Sequence, residues 1–225
     1  MEILNDAIKE YFFEFSTIAV PANIDPIIPR LSAVSSSNHS NVKMSLINFK
    51  LNTSYDENFN KDIDKCLDYL KERAILLFEA LTIKCKIPII YSAIFINMDE
   101  QKNNSAEIIA KQFLKNEHNF NNMSEIGIRL SEEMENKFYK IVNINSNKQI
   151  KITKIISENK TEIIFPLISL NEADETKDAL LINLEINDRY GFDLNKNYST
   201  TKLNLEKMFD IASKVTKDEI KIFEN

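Results

Sequence analysis

Only two glycines, Gly127 and Gly191, occur in the 225 residues, and they stand far apart. A loop that wraps a phosphate needs several glycines, because only a residue without a Cβ lets backbone approach so closely. Walker loops and dinucleotide fingerprints are therefore excluded. So is the Gly-x-Ser-x-Gly elbow that presents a nucleophilic serine.

The remaining composition describes an ordinary folded chain. Apolar residues make up 44% and charged residues 28%, near the globular average. At this length a chain forms one large domain or two small ones and buries about 70% of its extended surface. A net charge of −6 favours solubility and opposes broad attraction to nucleic acid or anionic membrane. No run of 18 uncharged apolar residues is present, so no bilayer-spanning helix is expected. Met1-Glu2-Ile3-Leu4-Asn5-Asp6 carries acids where a secretory leader carries bases. A cytoplasmic protein with Cys66 and Cys85 as free thiols is the expectation. Heavy use of Ile, Asn and Lys, all with AT-rich codons, points to an AT-rich bacterial, phage or mobile-element genome.

Hydrophobic periodicity predicts an α+β fold: an antiparallel or mixed sheet packed by two long helices, about 58–82 and 201–223, and a short one at 105–115. Residues 9–20, aromatic and β-branched, read as a strand that ends at Pro21; Pro26 and Pro29 further disfavour pairing. Ser35–Asn41 reads as a loop. Val42–Asn52 reads as one strand whose alternation slips at Ile47, as at a bulge or where both faces are buried. Ile63, Leu67, Leu70, Ala74, Leu77, Phe78 and Leu81 define the first long helix, with Asn58 or Asn60 as its cap. Pro88–Ile96 reads as a buried central strand and Asp99–Asn104 as a loop. Ser105 is expected to cap the short helix. Short strands are expected near 125–130, 137–145, 148–156, 161–169 and 179–187, with Asn145-Ser146-Asn147 as a hairpin turn. Residues 131–141 are open to strand or helix, and Asn171–Asp178 reads as an acidic loop. Leu205, Met208, Phe209, Ala212, Val215, Ile220 and Phe223 form the expected core face of the last helix.

Leu46–Tyr55 echoes Leu181–Tyr190, and each copy precedes a polar linker and a long helix. Either this is a duplication with halves 1–120 and 121–225, or it follows from an Ile- and Asn-rich composition.

Few residues cluster in a way that suggests chemistry. His39 and His118 stand alone, whereas zinc needs three or four ligands. Asp56-Glu57, Asp62-Asp64-Asp68 and Glu172-Asp174-Glu175-Asp178 could hold a hard cation, but the last run lacks the glycine and ligand alternation of a calcium loop. Glu175-Thr176-Lys177 has a nuclease-like spelling in a polar loop. None of Arg30, Arg73, Arg129 and Arg189 has a histidine at ribonuclease spacing. Cys66 and Cys85 lack a histidine nearby in sequence to activate them. No cofactor is expected.

Two segments suggest partners instead. Lys137, Lys140, Lys148, Lys151 and Lys154, with Phe138 and Tyr139, could bind single-stranded nucleic acid by charge and stacking, or could be lysines that protect strand edges. Tyr11, Phe12, Phe13 and Phe15 could add to a partner's sheet, or could be core. The leading expectation is a non-enzymatic binding or accessory subunit of a bacterial or phage complex, acting through a protein partner or self-association. A nucleic-acid-associated factor using 137–154 is second, and an enzyme whose distant carboxylates converge on a metal is third.

Overall fold

The computed structural model describes residues 2–56, 58–114, 125–134, 137–151 and 175–221. Among the described residues there are five α-helices and eight strands, the strands in two four-stranded antiparallel sheets, an α+β architecture. The chain divides into two compact units. One comprises Met1–Ala93, Asn136–Phe138 and Asn187–Asp218; the other comprises Ile94–Glu135, Tyr139–Ile186 and Glu219–Asn225. These units cut across the halves 1–120 and 121–225.

In the first unit, α1 (Glu2–Ile8) precedes β1 (Ser16–Thr17), β2 (Leu31–Val34), β3 (Ser40–Met44) and β4 (Phe49–Thr53). These strands lie in sheet order β1-β2-β3-β4, a meander. Residues 9–20 are thus not the long strand that their composition suggests. Their apolar residues do not alternate: Phe12 and Phe15 are buried, three apart, and pack with Leu4, Ala7 and Ile8 of α1. Phe12 makes only an isolated bridge to Ser35, and Asn5 Oδ1 accepts the Phe15 N–H at 3.0 Å. Packing against the helix overrides β propensity here.

The slip at Ile47 marks a turn rather than a bulge. Ser45 closes it: Ser45 N–H donates to the Asn48 carbonyl at 2.9 Å, and Ser45 Oγ accepts from Asn48 N–H at 2.9 Å. Across the sheet, Ala33 faces Val42 and Val42 faces Leu51. This row joins Leu77, Ala80 and Leu81 in the core.

Helix α2 (Ile63–Glu79) runs on into a π-helical turn, Ala80–Lys84. Its cap is Asp62, not Asn58 or Asn60; Asp62 accepts from Lys65 N–H at 3.2 Å. Helix α5 (Lys202–Lys221) buries Leu205, Met208, Phe209, Ala212 and Val215 of the expected face; the Ile220 side chain and Phe223 lie outside the described part of the structure. Three ion pairs connect α2 and α5: Asp64–Lys217 at 2.6 Å, Lys71–Asp210 at 3.1 Å and Glu79–Lys202 at 2.7 Å. The partner number falls along α5 as it rises along α2, so the helices are antiparallel. Exposed pairs contribute only about 0–1 kcal/mol each, so they set register more than stability.

A buried carboxylate braces the points where the chain leaves this unit, after Ala93, and re-enters it, at Asn187. Fully buried Asp188 accepts from Ser92 N–H at 2.7 Å, and from the Tyr198 and Thr200 hydroxyls at 2.8 Å each. Thr200 N–H donates to the Ile89 carbonyl at 2.8 Å. These bonds hold 88–92 in irregular structure instead of the expected central strand. Strand β5 starts later, at Ala93, and runs to Gln101, absorbing half of the expected 99–104 loop. The short helix α4 (Arg189–Leu194) fits beneath Tyr198 because Gly191 has no Cβ, which would stand 2.7 Å from the ring.

In the second unit the order is β5-β8-β7-β6, with β6 at Gly127–Met134, β7 at Phe138–Lys151 and β8 at Glu175–Asn187. Among the described residues β5 is therefore an end strand. Residues 131–134 are strand, and residues 175–178 belong to β8 rather than to a loop. The short helix α3 (Ser105–Phe113) is preceded by Asn104, not Ser105, at φ 60°. Asn145-Ser146-Asn147 makes no turn. Ser146 is buried, its N–H donates to the Ile126 carbonyl at 2.9 Å, and its Oγ accepts Ile126 N–H at 2.8 Å. Asn145 Oδ1 occupies the space a Cβ on Gly127 would need. Ser146 is satisfied across the sheet, and β7 continues through the triplet. The expected strand 161–169 and the end of 148–156 lie outside the described residues.

The two echoing segments adopt different structures. Leu46 and Ile47 sit in a turn before the end strand β4, whereas Leu181 and Ile182 lie inside β8, an interior strand.

Candidate interaction site at the turn end of the first sheet

Two loops meet at one end of the first sheet. Asp25, Pro26 and Pro29 shape the first. Asp25 Oδ1 accepts from Ile27 N–H at 2.9 Å, the Asp25 carbonyl accepts from Ile28 N–H at 3.0 Å, and Arg30 Nη1 donates to the Ile28 carbonyl at 3.0 Å. Prolines cannot donate to a ladder, so this stretch stays outside the sheet. The second loop is the Ser45–Asn48 turn. Leu46 N–H donates to the Pro26 carbonyl at 3.1 Å, and Arg30 N–H donates to the Met44 carbonyl at 2.8 Å. These bonds fix one loop against the other.

Both loops present large aliphatic side chains to solvent. Leu46 and Ile47 are 69% and 65% exposed, and Ile27 and Ile28 beside them are exposed too. Scattered apolar residues on a surface are ordinary. Four branched side chains on two mutually bonded loops form a patch, and patches mark contact surfaces. Burying each would contribute roughly 1.5–3 kcal/mol before the cost of association. The hydrogen-bonded loops already hold the anchors in place, which lowers that cost.

A second cluster joins the β2–β3 turn to α2. Ser37 Oγ is hydrogen-bonded to His39 Nδ1, and His39 Nε2 lies 2.5 Å from the Tyr69 hydroxyl. The Arg73 guanidinium stacks 3.3 Å from the Tyr69 ring centre and 4.2 Å from that of Tyr11, and it donates to the Tyr69 carbonyl at 2.9 Å. The Tyr55 hydroxyl donates to the Cys66 carbonyl at 2.6 Å, and burial pushes its pKa up. Each side chain ties a turn to the helix beside it, so the cluster acts as a clasp. Burial likewise raises the Cys66 thiol, the opposite of activation.

The carboxylates of α2 do not converge on a cation site. Asp64, Asp68 and Asp210 line a shallow cavity of about 280 Å³ with Lys71 and Ser213. Asp64 is held by Lys217 and Ser213, whose bonds lower its pKa, and Asp210 by Lys71. Among the described residues no group of three or more His, Cys, Asp or Glu side chains could hold a metal.

The segments singled out from sequence fare differently. Phe12 and Phe15 are core, Tyr11 is half-buried under Arg73, and only Phe13 projects, 59% exposed. The segment is not an open strand for a partner. The described basic residues do not form a hairpin. Lys137 precedes β7 at φ 69°, Lys140 pairs with Glu132 at 2.7 Å, Lys148 and Lys151 lie on the same strand β7, and Lys154 lies outside the described residues. His118, Glu172 and Asp174 also lie outside them.

The aliphatic tip was hidden in sequence because Leu46-Ile47 reads as strand interior and Ile27-Ile28 as a broken connection. The usable signals were Ser45 and Asn48 flanking one pair and Pro26 and Pro29 flanking the other. Comparisons with known protein families, characterised proteins and solved structures give no match to this chain. No helix among the described residues is long and apolar enough to cross a membrane.

Proposed function

We propose that this chain is a non-enzymatic binding or accessory subunit of a bacterial or phage cytoplasmic complex, and that it grips a protein partner through Ile27, Ile28, Leu46 and Ile47. One observation carries the reading: two short loops, bonded to each other and to the sheet, hold four aliphatic anchors in solvent. Rigid apolar anchors at the centre of a contact supply most of its binding energy. The anchors project from backbone turns with no nucleophile or acid–base pair among them, which suits docking rather than turnover.

The test compares the parent chain with Leu46→Asp/Ile47→Asp and with Leu203→Asp, a control at an exposed leucine on α5. Each is used as bait in extract of the producing cell and examined by light scattering. The tip variant should lose one defined partner, or its own oligomer, that the parent and control retain, with thermal melting unchanged. Identical partners and identical mass for all three would sink the proposal.

A further inference from the structure

The proposed tip continues directly into β4, and β4 is unusual among the strands of its sheet. It is an end strand, bonded to β3 on one side. Among the described residues, no backbone hydrogen bond reaches its other side. Its inward residues Phe49 and Leu51 are only partly buried against the core. An open edge of this kind accepts a further strand.

Its outward face carries a charge problem. Lys50 on β4 lies directly opposite Lys43 on β3. Directly opposed side chains stand about 5 Å apart at Cβ, and like charges there are destabilising. Both are exposed, and no carboxylate pairs with either among the described residues. A lysine on an end strand can serve simply to repel stray strands, which would account for Lys50. It does not account for Lys43, which sits on an interior strand. Yet the whole chain is acidic, at −6, so two opposed unpaired lysines run against its charge balance.

Resting on the proposed role of the tip, we infer that β4 receives an extended segment of the partner protein as a fifth strand, with alternating acidic and apolar residues. The acidic side chains lie on the outward face beside Lys50, with Lys43 one strand further, about 10 Å away. The apolar ones lie inward beside Phe49 and Leu51, and the segment ends against Leu46 and Ile47. Period-two alternation is what a strand imposes, and the alternating exposure along β4 matches it. Main-chain bonds would supply affinity and the lysine pair specificity.

The probe is a fluorescent decapeptide of repeating Val-Glu, with Val-Lys and alternately N-methylated Val-Glu versions as controls, read by fluorescence anisotropy at low salt. The acidic peptide should bind at least about tenfold more tightly than the basic one, and N-methylation should weaken it by about tenfold because half its amide donors are gone. The double variant Lys43→Glu/Lys50→Glu should reverse the preference toward Val-Lys while keeping the parent's circular dichroism and melting, which shows that it is folded. Equal binding of both peptides overturns the inference. So does an acidic preference that survives charge reversal or N-methylation, or sedimentation with phosphatidylserine vesicles in preference to peptide. If Leu46→Asp/Ile47→Asp loses its natural partner while the peptides show no preference, the tip reading stands and the strand-addition inference falls alone.

Discussion

Replacing Asp188 with alanine removes the acceptor for three hydrogen bonds, from Ser92 N–H, Tyr198 and Thr200. The carboxylate is fully buried, and Thr200 is nearly so. A bond to a charged acceptor contributes about 1.5–3 kcal/mol net, and a buried donor left alone costs about 1–3 kcal/mol. Half-buried Tyr198 can turn to water, and its hydroxyl already receives Asn204 Nδ2 at 2.5 Å. The main loss is therefore at Ser92 and Thr200, about 3–5 kcal/mol together. At about 2–4 °C per kcal/mol for a chain of this size, melting should fall by about 6–20 °C. Asp188→Asn keeps one acceptor oxygen for Ser92 and should cost about 1–2 kcal/mol, because its amide protons face hydroxyls that must now accept. Urea unfolding at 25 °C, followed by tyrosine fluorescence and circular dichroism, measures both. A cost below about 1 kcal/mol for alanine, or equal costs for alanine and asparagine, would refute the account of this carboxylate as the brace.

Four further outcomes follow from the structure. Gly191→Ala should destabilise by about 1–3 kcal/mol, since its Cβ would press on the Tyr198 ring; an unchanged urea midpoint contradicts this. Ser45→Ala should loosen the tip, because Ser45 Oγ accepts from both Ile47 and Asn48 N–H, and should cost about 1 kcal/mol while weakening partner capture; faster hydrogen exchange at Ile47 and Asn48 is the readout. The hydroxyls of Tyr55 and Tyr198 have raised pKa values, chiefly through burial and, for Tyr198, also through Asp188. The unfolded chain therefore ionises first, near pH 10, so this stability is complete below about pH 10 and is lost as pH rises toward the folded values. Urea midpoints should therefore hold from pH 8 to about 10 and fall above it, and Tyr198→Phe should flatten the decline. Cys66, buried with a raised thiol pKa, should react with a disulfide reagent well after half-buried Cys85; equal rates would contradict the burial.

Local periodicity located the long helices well. The face Leu205, Met208, Phe209, Ala212 and Val215 is buried as its three- and four-residue spacing demands. Strands were harder, because the same residues suit a strand, a turn flank or a helix-packed coil. Phe12 and Phe15 look like strand residues, but the neighbouring α1 claims them. Asn145-Ser146-Asn147 spells a turn, but Gly127 across the sheet makes room for Asn145. In each case the deciding contact is made outside the segment itself, with α1 for one and with the adjacent strand for the other.

The sequence alone determined what is excluded and which faces are buried. Two glycines cannot build a phosphate loop, and helical spacing places apolar residues on one side whatever they meet. It could not determine the tip. Leu46 and Ile47 face solvent because Ser45 turns the chain there and because the Pro26 carbonyl, twenty residues earlier, accepts the Leu46 N–H. Nor could it show that Lys43 and Lys50 stand opposite one another, since register across two strands is a property of their pairing. Spacing along the chain governs burial; contact across the chain governs which exposed groups stand together.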